Sequence, residues 1–185
     1  MLQGRAATLR FVTGAAAALG LCLGLCPPTP ALADSPLEIA VKATDLYKFA
    51  AFVEWPSIDN AGGEPLQLCV SGDDPFGAML DQAVRGQKVG AHPIQLVHLD
   101  HVDRGLACQI LFLAPSRRQT VAEALDKVRG TPILTITDAA PDSASRGMID
   151  FVLREGHVRF RIDDRAADRA RLVVSSKLLS LAVRP

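Results

Sequence analysis

The stretch "LQLCVSGDDPFGAMLDQAVRG", residues 66–86, decides the fold class. Leu66 to Ser71 form a short apolar run that stops at Gly72, as a buried strand does at its end. Asp74 and Pro75 then supply a helix cap and a residue suited to the first helical position, and Arg85-Gly86 closes the helix. The same rhythm continues downstream. "HPIQLVHL" (92–99) and "ACQILFLAP" (107–115) predict two more strands. "SRRQTVAEALDKVRG" (116–130) predicts a helix, and "PILTITD" (132–138) a fourth strand. Near-continuous apolar strands alternating with helices predict a mostly parallel sheet with helices on both faces.

The flanks complete that outline. "SPLEIAVKATDLYKFAAFVE" (35–54) has Ser35 as cap, Pro36 in the first turn, and Ile39, Ala43, Leu46, Ala50 and Val53 at helical spacing. A single helix is expected to run to about Glu54, where Pro56 forces Trp55 out of helical geometry. Trp55 and Pro56 are expected to act as a structural anchor, the indole wedging the helix end against the sheet. "MIDFVLREGHVRFRID" (148–163) predicts an antiparallel hairpin turning at Glu155-Gly156. Residues 164–185 predict helix broken at "LVVSS". The fold class expected is α/β: one domain over residues 34–185, closing with a C-terminal antiparallel hairpin plus helix.

Residues 1–33 read as a cleaved secretory signal. Arg5 and Arg10 precede the uncharged run "FVTGAAAALGLCLGLC" (11–26), and "ALA" (31–33) offers small residues for cleavage near Ala33. A lipoprotein leader would need a small residue before its cysteine, whereas Leu precedes both Cys22 and Cys26. The chain of 185 residues carries 20 basic and 20 acidic side chains; without Arg5 and Arg10 the balance is 18 against 20. That gives no electrostatic reason to expect nucleic acid as a partner.

Of the four cysteines, only Cys69 and Cys108 lie beyond the leader. An even pair in an exported chain favours a disulfide, and two buried thiols are the alternative.

Ligands of open parallel sheets bind at the carboxyl ends of the strands. Here those ends carry Gly72, Asp73, Asp74 and Phe76, then Ser116 and Arg117, then Asp138 and Arg146, a candidate set for a small polar ligand or anion. Ordinary turn and capping chemistry explains each motif separately, so both readings stay open. Two aspartates after the first strand are also found in phosphoacceptor receivers, but Ala114-Pro115-Ser116 stands where the third strand would need another aspartate. His98 and His101 with His92 fall short of a zinc ligand set, and "SSK" (175–177) lacks the spacing of a serine–lysine nucleophile. The residues call for no cofactor, no metal and no catalytic constellation.

Several segments taken together resemble the YfiR family of small periplasmic bacterial proteins. They are "LYKFAAFVEWP" (46–56), "LQLCVSGDDPFG" (66–77), "ILFLAPS" (110–116), "PILTITD" (132–138), "RGMIDFVLREGHVRFRI" (146–162) and "SSKLLSLA" (175–182). The resemblance implies a non-enzymatic periplasmic regulator that represses an inner-membrane diguanylate cyclase by contact with its periplasmic part. Cyclic-di-GMP and biofilm formation would fall as a result. It implies an outer-membrane lipoprotein as a further partner, and it admits a homodimer. Cys69 and Cys108 match the positions of a family disulfide, whereas a second cysteine pair found in some members has no counterpart here. A small-ligand binding protein using the strand-end cleft is the alternative function.

Overall fold

The apolar runs become the centre of a seven-stranded sheet. Strands β2 (Leu66–Ser71), β4 (His92–Leu99), β5 (Ile110–Leu113), β6 (Leu134–Thr137) and β7 (Ile149–Arg154) lie parallel in the spatial order β4-β2-β5-β6-β7. Two antiparallel strands close the edges: β3 (Lys88–Val89) beside β4, and β8 (His157–Ile162) beside β7. The hairpin β7–β8 turns at Glu155-Gly156, with Arg154 opposite His157. A separate two-stranded ribbon pairs β1 (Val53–Glu54) with β9 (Val173–Val174). This computed structural model describes residues 34–56, 58, 63–140 and 143–184. The expected signal segment, with Arg5, Arg10 and the cleavage near Ala33, lies outside the described residues. Residues 34–185 form one compact unit.

Strand alternation divides the side chains between two cores. Leu68, Val70, Ile110, Phe112, Ile136 and Phe151 point toward helices α1 (Pro36–Lys48), α2 (Ala78–Val84), α4 (Asp164–Arg169) and α5 (Ser176–Leu181). Cys69, Leu111 and Leu113 point the other way, to Val102, Cys108 and helix α3 (Val121–Lys127). Helices therefore cover both faces.

Three helix boundaries differ from expectation, each for a local reason. The helix expected to reach Glu54 ends at Lys48, Phe49–Phe52 tighten into a 3-10 turn, and Val53–Glu54 enter the ribbon. Tertiary contacts override helical propensity there. Phe49 packs edge-on against Phe160 with ring centres 5.0 Å apart, and the Ser175 amide donates to the Phe52 carbonyl at 2.9 Å. Helix α2 begins at Ala78, not Pro75, because the Asp74 carboxylate accepts from the amides of Phe76 and Gly77 and closes a turn, after which Gly77 takes φ 49°. Helix α3 is capped by Thr120, not at Ser116; Thr120 and Glu123 bond reciprocally as a capping box.

Candidate functional site

The parallel strands run in the order 2-1-3-4-5 along the sheet, which puts the topological switch point between β2 and β5. Backbone bonds join the two strand ends there. The Ala114 amide donates to the Ser71 carbonyl at 2.9 Å, and the Asp73 amide to the Pro115 carbonyl at 3.1 Å. Gly72, at φ 96°, lies so close to Ala114 that an added Cβ would stand 2.0 Å from its carbonyl oxygen. Only glycine fits that backbone and that gap.

The strand-end candidates distribute themselves around this seam. Asp74 closes its turn and stands 3.7 Å from His98 Nδ1. Phe76 is buried, with its ring edge-on to Phe112 at 4.7 Å. The Ser116 hydroxyl accepts from the amides of Arg118 and Gln119, while Arg117 is exposed. Asp73 and Ser116 are brought near each other by the Asp73–Pro115 bond. Asp138 and Arg146 belong to two other clusters.

Asp138 joins the cluster built around Lys42. Lys42 lies within the apolar stripe of α1, between Ile39 and Leu46 at helical spacing, and is buried. Its ammonium donates to Asp138 at 2.5 Å and Asp34 at 2.9 Å, and pairs with Glu38 at 2.6 Å. Burial by itself lowers the Lys42 pKa, but hydrogen bonds to Asp138, Glu38 and Asp34 outweigh it and hold the group above the ordinary lysine range. Burial pushes the Asp138 carboxyl up, against the opposing pull of Lys42. The cluster fastens the start of α1 to the end of β6.

Arg146 joins a cluster built around Asp150, on the α3 side of the sheet. Asp150 is buried at the start of β7. Its Oδ1 accepts from the Thr137 hydroxyl at 2.8 Å and the Ala139 amide at 3.0 Å. Its Oδ2 faces Arg146 Nε at 3.1 Å and Arg161 Nη2 at 3.5 Å. One buried carboxylate thus orients two guanidinium groups. Two cavities flank Arg146, one of about 640 Å³ toward α3 and one of about 520 Å³ toward Ile162 and Arg165.

Lys42, Asp150 and Arg161 are absent from the sequence-based candidate set. A charged residue inside an apolar helical stripe is a signal for Lys42. The signal for Asp150 and Arg161 is weaker: polar residues at every second position of β6 and β8, and Asp150 and Arg154 on the same face of β7.

Trp55 is buried, and its indole N–H donates to the Gln109 carbonyl at 3.2 Å, the residue immediately before β5. The side chain thereby ties the ribbon to the sheet. A disulfide joins Cys69 on β2 to Cys108, with Cα atoms 6.1 Å apart.

A family model described as YfiR/HmsC-like matches residues 39–183. The chain belongs to the YfiR/HmsC-like family. No curated protein matches it. The family region starts within α1 and ends at Val183, whose amide donates to the Phe160 carbonyl on β8 at 2.9 Å. It contains the disulfide, the Gly72–Ala114 seam, Lys42 and Asp138, and the whole Asp150 cluster. A disulfide fits an oxidising compartment, consistent with the periplasmic setting of YfiR-like proteins.

Proposed function

We propose that the protein is a non-enzymatic periplasmic regulator that restrains an inner-membrane diguanylate cyclase through contact with its periplasmic part. Cyclic-di-GMP and biofilm formation fall as a consequence. The observation that carries this reading is the YfiR/HmsC-like match over residues 39–183. The Cys69–Cys108 disulfide supports residence outside the cytoplasm, as does the signal-like composition of residues 1–33, cleaved near Ala33. An outer-membrane lipoprotein that removes the regulator from the cyclase and a homodimer both belong to this reading.

A ligand-binding role is the second reading. The cavities beside Arg146 favour it, and Arg146 is the strand-end candidate that lines both. The first reading is tested by deleting the gene and measuring cyclic-di-GMP. A rise is expected, and an unchanged level contradicts the regulator.

A further inference from the structure

We propose that the outer edge of β8 is a docking strand for a partner protein, and that it takes an extended segment in which acidic and apolar residues alternate. β8 ends the seven-stranded sheet: one side pairs with β7, and among the described residues no strand pairs with the other. The Asp163 amide donates to the Met148 carbonyl at 2.8 Å. In an antiparallel ladder, His157, Arg159 and Arg161 then also bond toward β7, while Val158, Phe160 and Ile162 turn their N–H and C=O groups outward. The chain's own tail already uses one position on that edge. Beyond Ala182, which is extended, the Val183 amide donates to the Phe160 carbonyl at 2.9 Å. An open row of backbone groups of this kind readily accepts an added strand.

The side chains state which strand fits. On the α3 side of the hairpin, Arg154 stands opposite His157 and Arg159 opposite Val152, and Arg154, His157 and Arg159 are exposed. Arg161, next along that face, is matched by Asp150 and adds no excess. Arg154 and Arg159 have no ion-pair partner among the described residues. Arg159 bends over the edge and donates to the outward Val158 carbonyl at 3.0 Å. An acidic residue on an added strand draws the guanidinium off that carbonyl and frees it for pairing, whereas a basic residue is repelled. Besides the buried Asp150, Glu155 at the turn is the one acid in the hairpin, so two unpaired guanidinium groups stand against one exposed carboxylate.

The opposite face of the same edge is apolar. Leu153 is exposed beside Val158, and Phe160 and Ile162 follow along β8. An added strand therefore meets basic side chains on one face and apolar ones on the other. A second copy of β8 laid along the first would set arginine against arginine, which is destabilising, while an acidic strand is complementary. The inference does not rest on which protein supplies the strand, so it and the cyclase reading fail separately.

The test is a titration of residues 34–185, which form one compact unit, with a blocked heptapeptide of alternating glutamate and valine. Backbone amide resonances report the site. The Val158 and Phe160 signals should shift and saturate, and affinity should fall as sodium chloride is added. A peptide of the same composition with its glutamates in one block should bind far more weakly, because it cannot match both faces at once. Reversing both charges, Arg154→Glu with Arg159→Glu, should leave the melting temperature near that of the wild type and weaken the alternating peptide about tenfold or more. The same variant should bind an alternating lysine–valine peptide instead. Val158→Pro, which removes one outward N–H and spares the β7 ladder, should weaken the glutamate–valine peptide as well. The proposal is overturned if that peptide does not saturate, if the blocked-charge peptide binds equally, or if the charge reversal changes nothing. Two other occupants are read in the same series. Binding to phosphatidylglycerol vesicles without binding to the peptide would make the hairpin a membrane contact. Shifts along β8 on raising the protein concentration alone would make the edge an interface between copies. Either result overturns the proposal.

Discussion

The α3 side of the sheet is built in two halves of opposite chemistry. Over β2 and β5 it is apolar: Cys69, Leu111 and Leu113 pack against Ala124 and Val128, and the disulfide to Cys108 locks the crossing chain above them. Over β6, β7 and β8 it is polar: Thr135, Thr137 and Asp150 are buried, and Arg161 leans on Asp150. An apolar patch is satisfied by any well-packed cover. A buried polar patch is satisfied only by specific partners in fixed positions, and leaving one unpaired costs more than the bond contributes. The first half therefore supplies stability, and the second holds geometry.

Removing the polar half's centre should have the largest effect. Asp150→Ala removes the buried carboxylate that Arg146 and Arg161 both face, and should cost about 4 to 5 kcal/mol in urea denaturation. A loss below about 1 kcal/mol would mean that the polar half is solvated and carries no fixed geometry. The apolar half comes next. Replacing Cys69 and Cys108 together with Ala opens a loop with a sequence separation of 39, which the chain-entropy relation values at about 4 kcal/mol. If the double variant melts like the reduced wild type, the effect belongs to the bond and not to the packing.

Lys42→Met on the opposite face should cost about 3 kcal/mol, because three carboxylates lose their shared ammonium. The pH dependence has a defined sign. Lys42 has a raised folded pKa, so its contribution is complete below the ordinary lysine value of 10.5 and is lost as pH climbs through the higher folded value. Asp138 also has a raised pKa, so protonating it favours the folded state as pH falls. Without Lys42 that carboxyl rises further. The deficit of Lys42→Met should therefore shrink as pH falls from neutrality, and a deficit that grows would contradict the burial of Asp138.

The smallest effect is a gain. Arg171 follows α4 at φ 61°, with the Leu172 amide bonded back to the Ala167 carbonyl, a helix ending that favours glycine. Arg171→Gly should raise stability by about 0.5 to 1 kcal/mol in thermal melts. Both halves of the sheet should be unaffected by that change.

The sheet's centre was legible because its strands are locally apolar and end at turn residues, as "LQLCVSG" and "PILTITD" do. The hairpin was legible from the alternation on either side of Glu155-Gly156. The β1–β9 ribbon was not, since two-residue strands have no period, and Val53 meets Val174 only through the tertiary fold. The expected helix up to Glu54 failed for the same reason: Phe49 obeys Phe151 and Phe160, which lie far along the chain. The Asp150 cluster needs register. Thr137 meets Asp150 across β6–β7, and Asp150 meets Arg161 across β7–β8, pairings that no single segment encodes. Of the strand-end candidates, Arg146 alone is common to the sequence set and the Asp150 cluster.

The proposed role is restraint of a diguanylate cyclase from the periplasm. Its most direct test measures cyclic-di-GMP in a strain lacking the gene, complemented either with the full chain or with residues 34–185 retained in the cytoplasm. The full chain alone should return cyclic-di-GMP to the parental level. Equal restoration by both forms, or by neither, contradicts it.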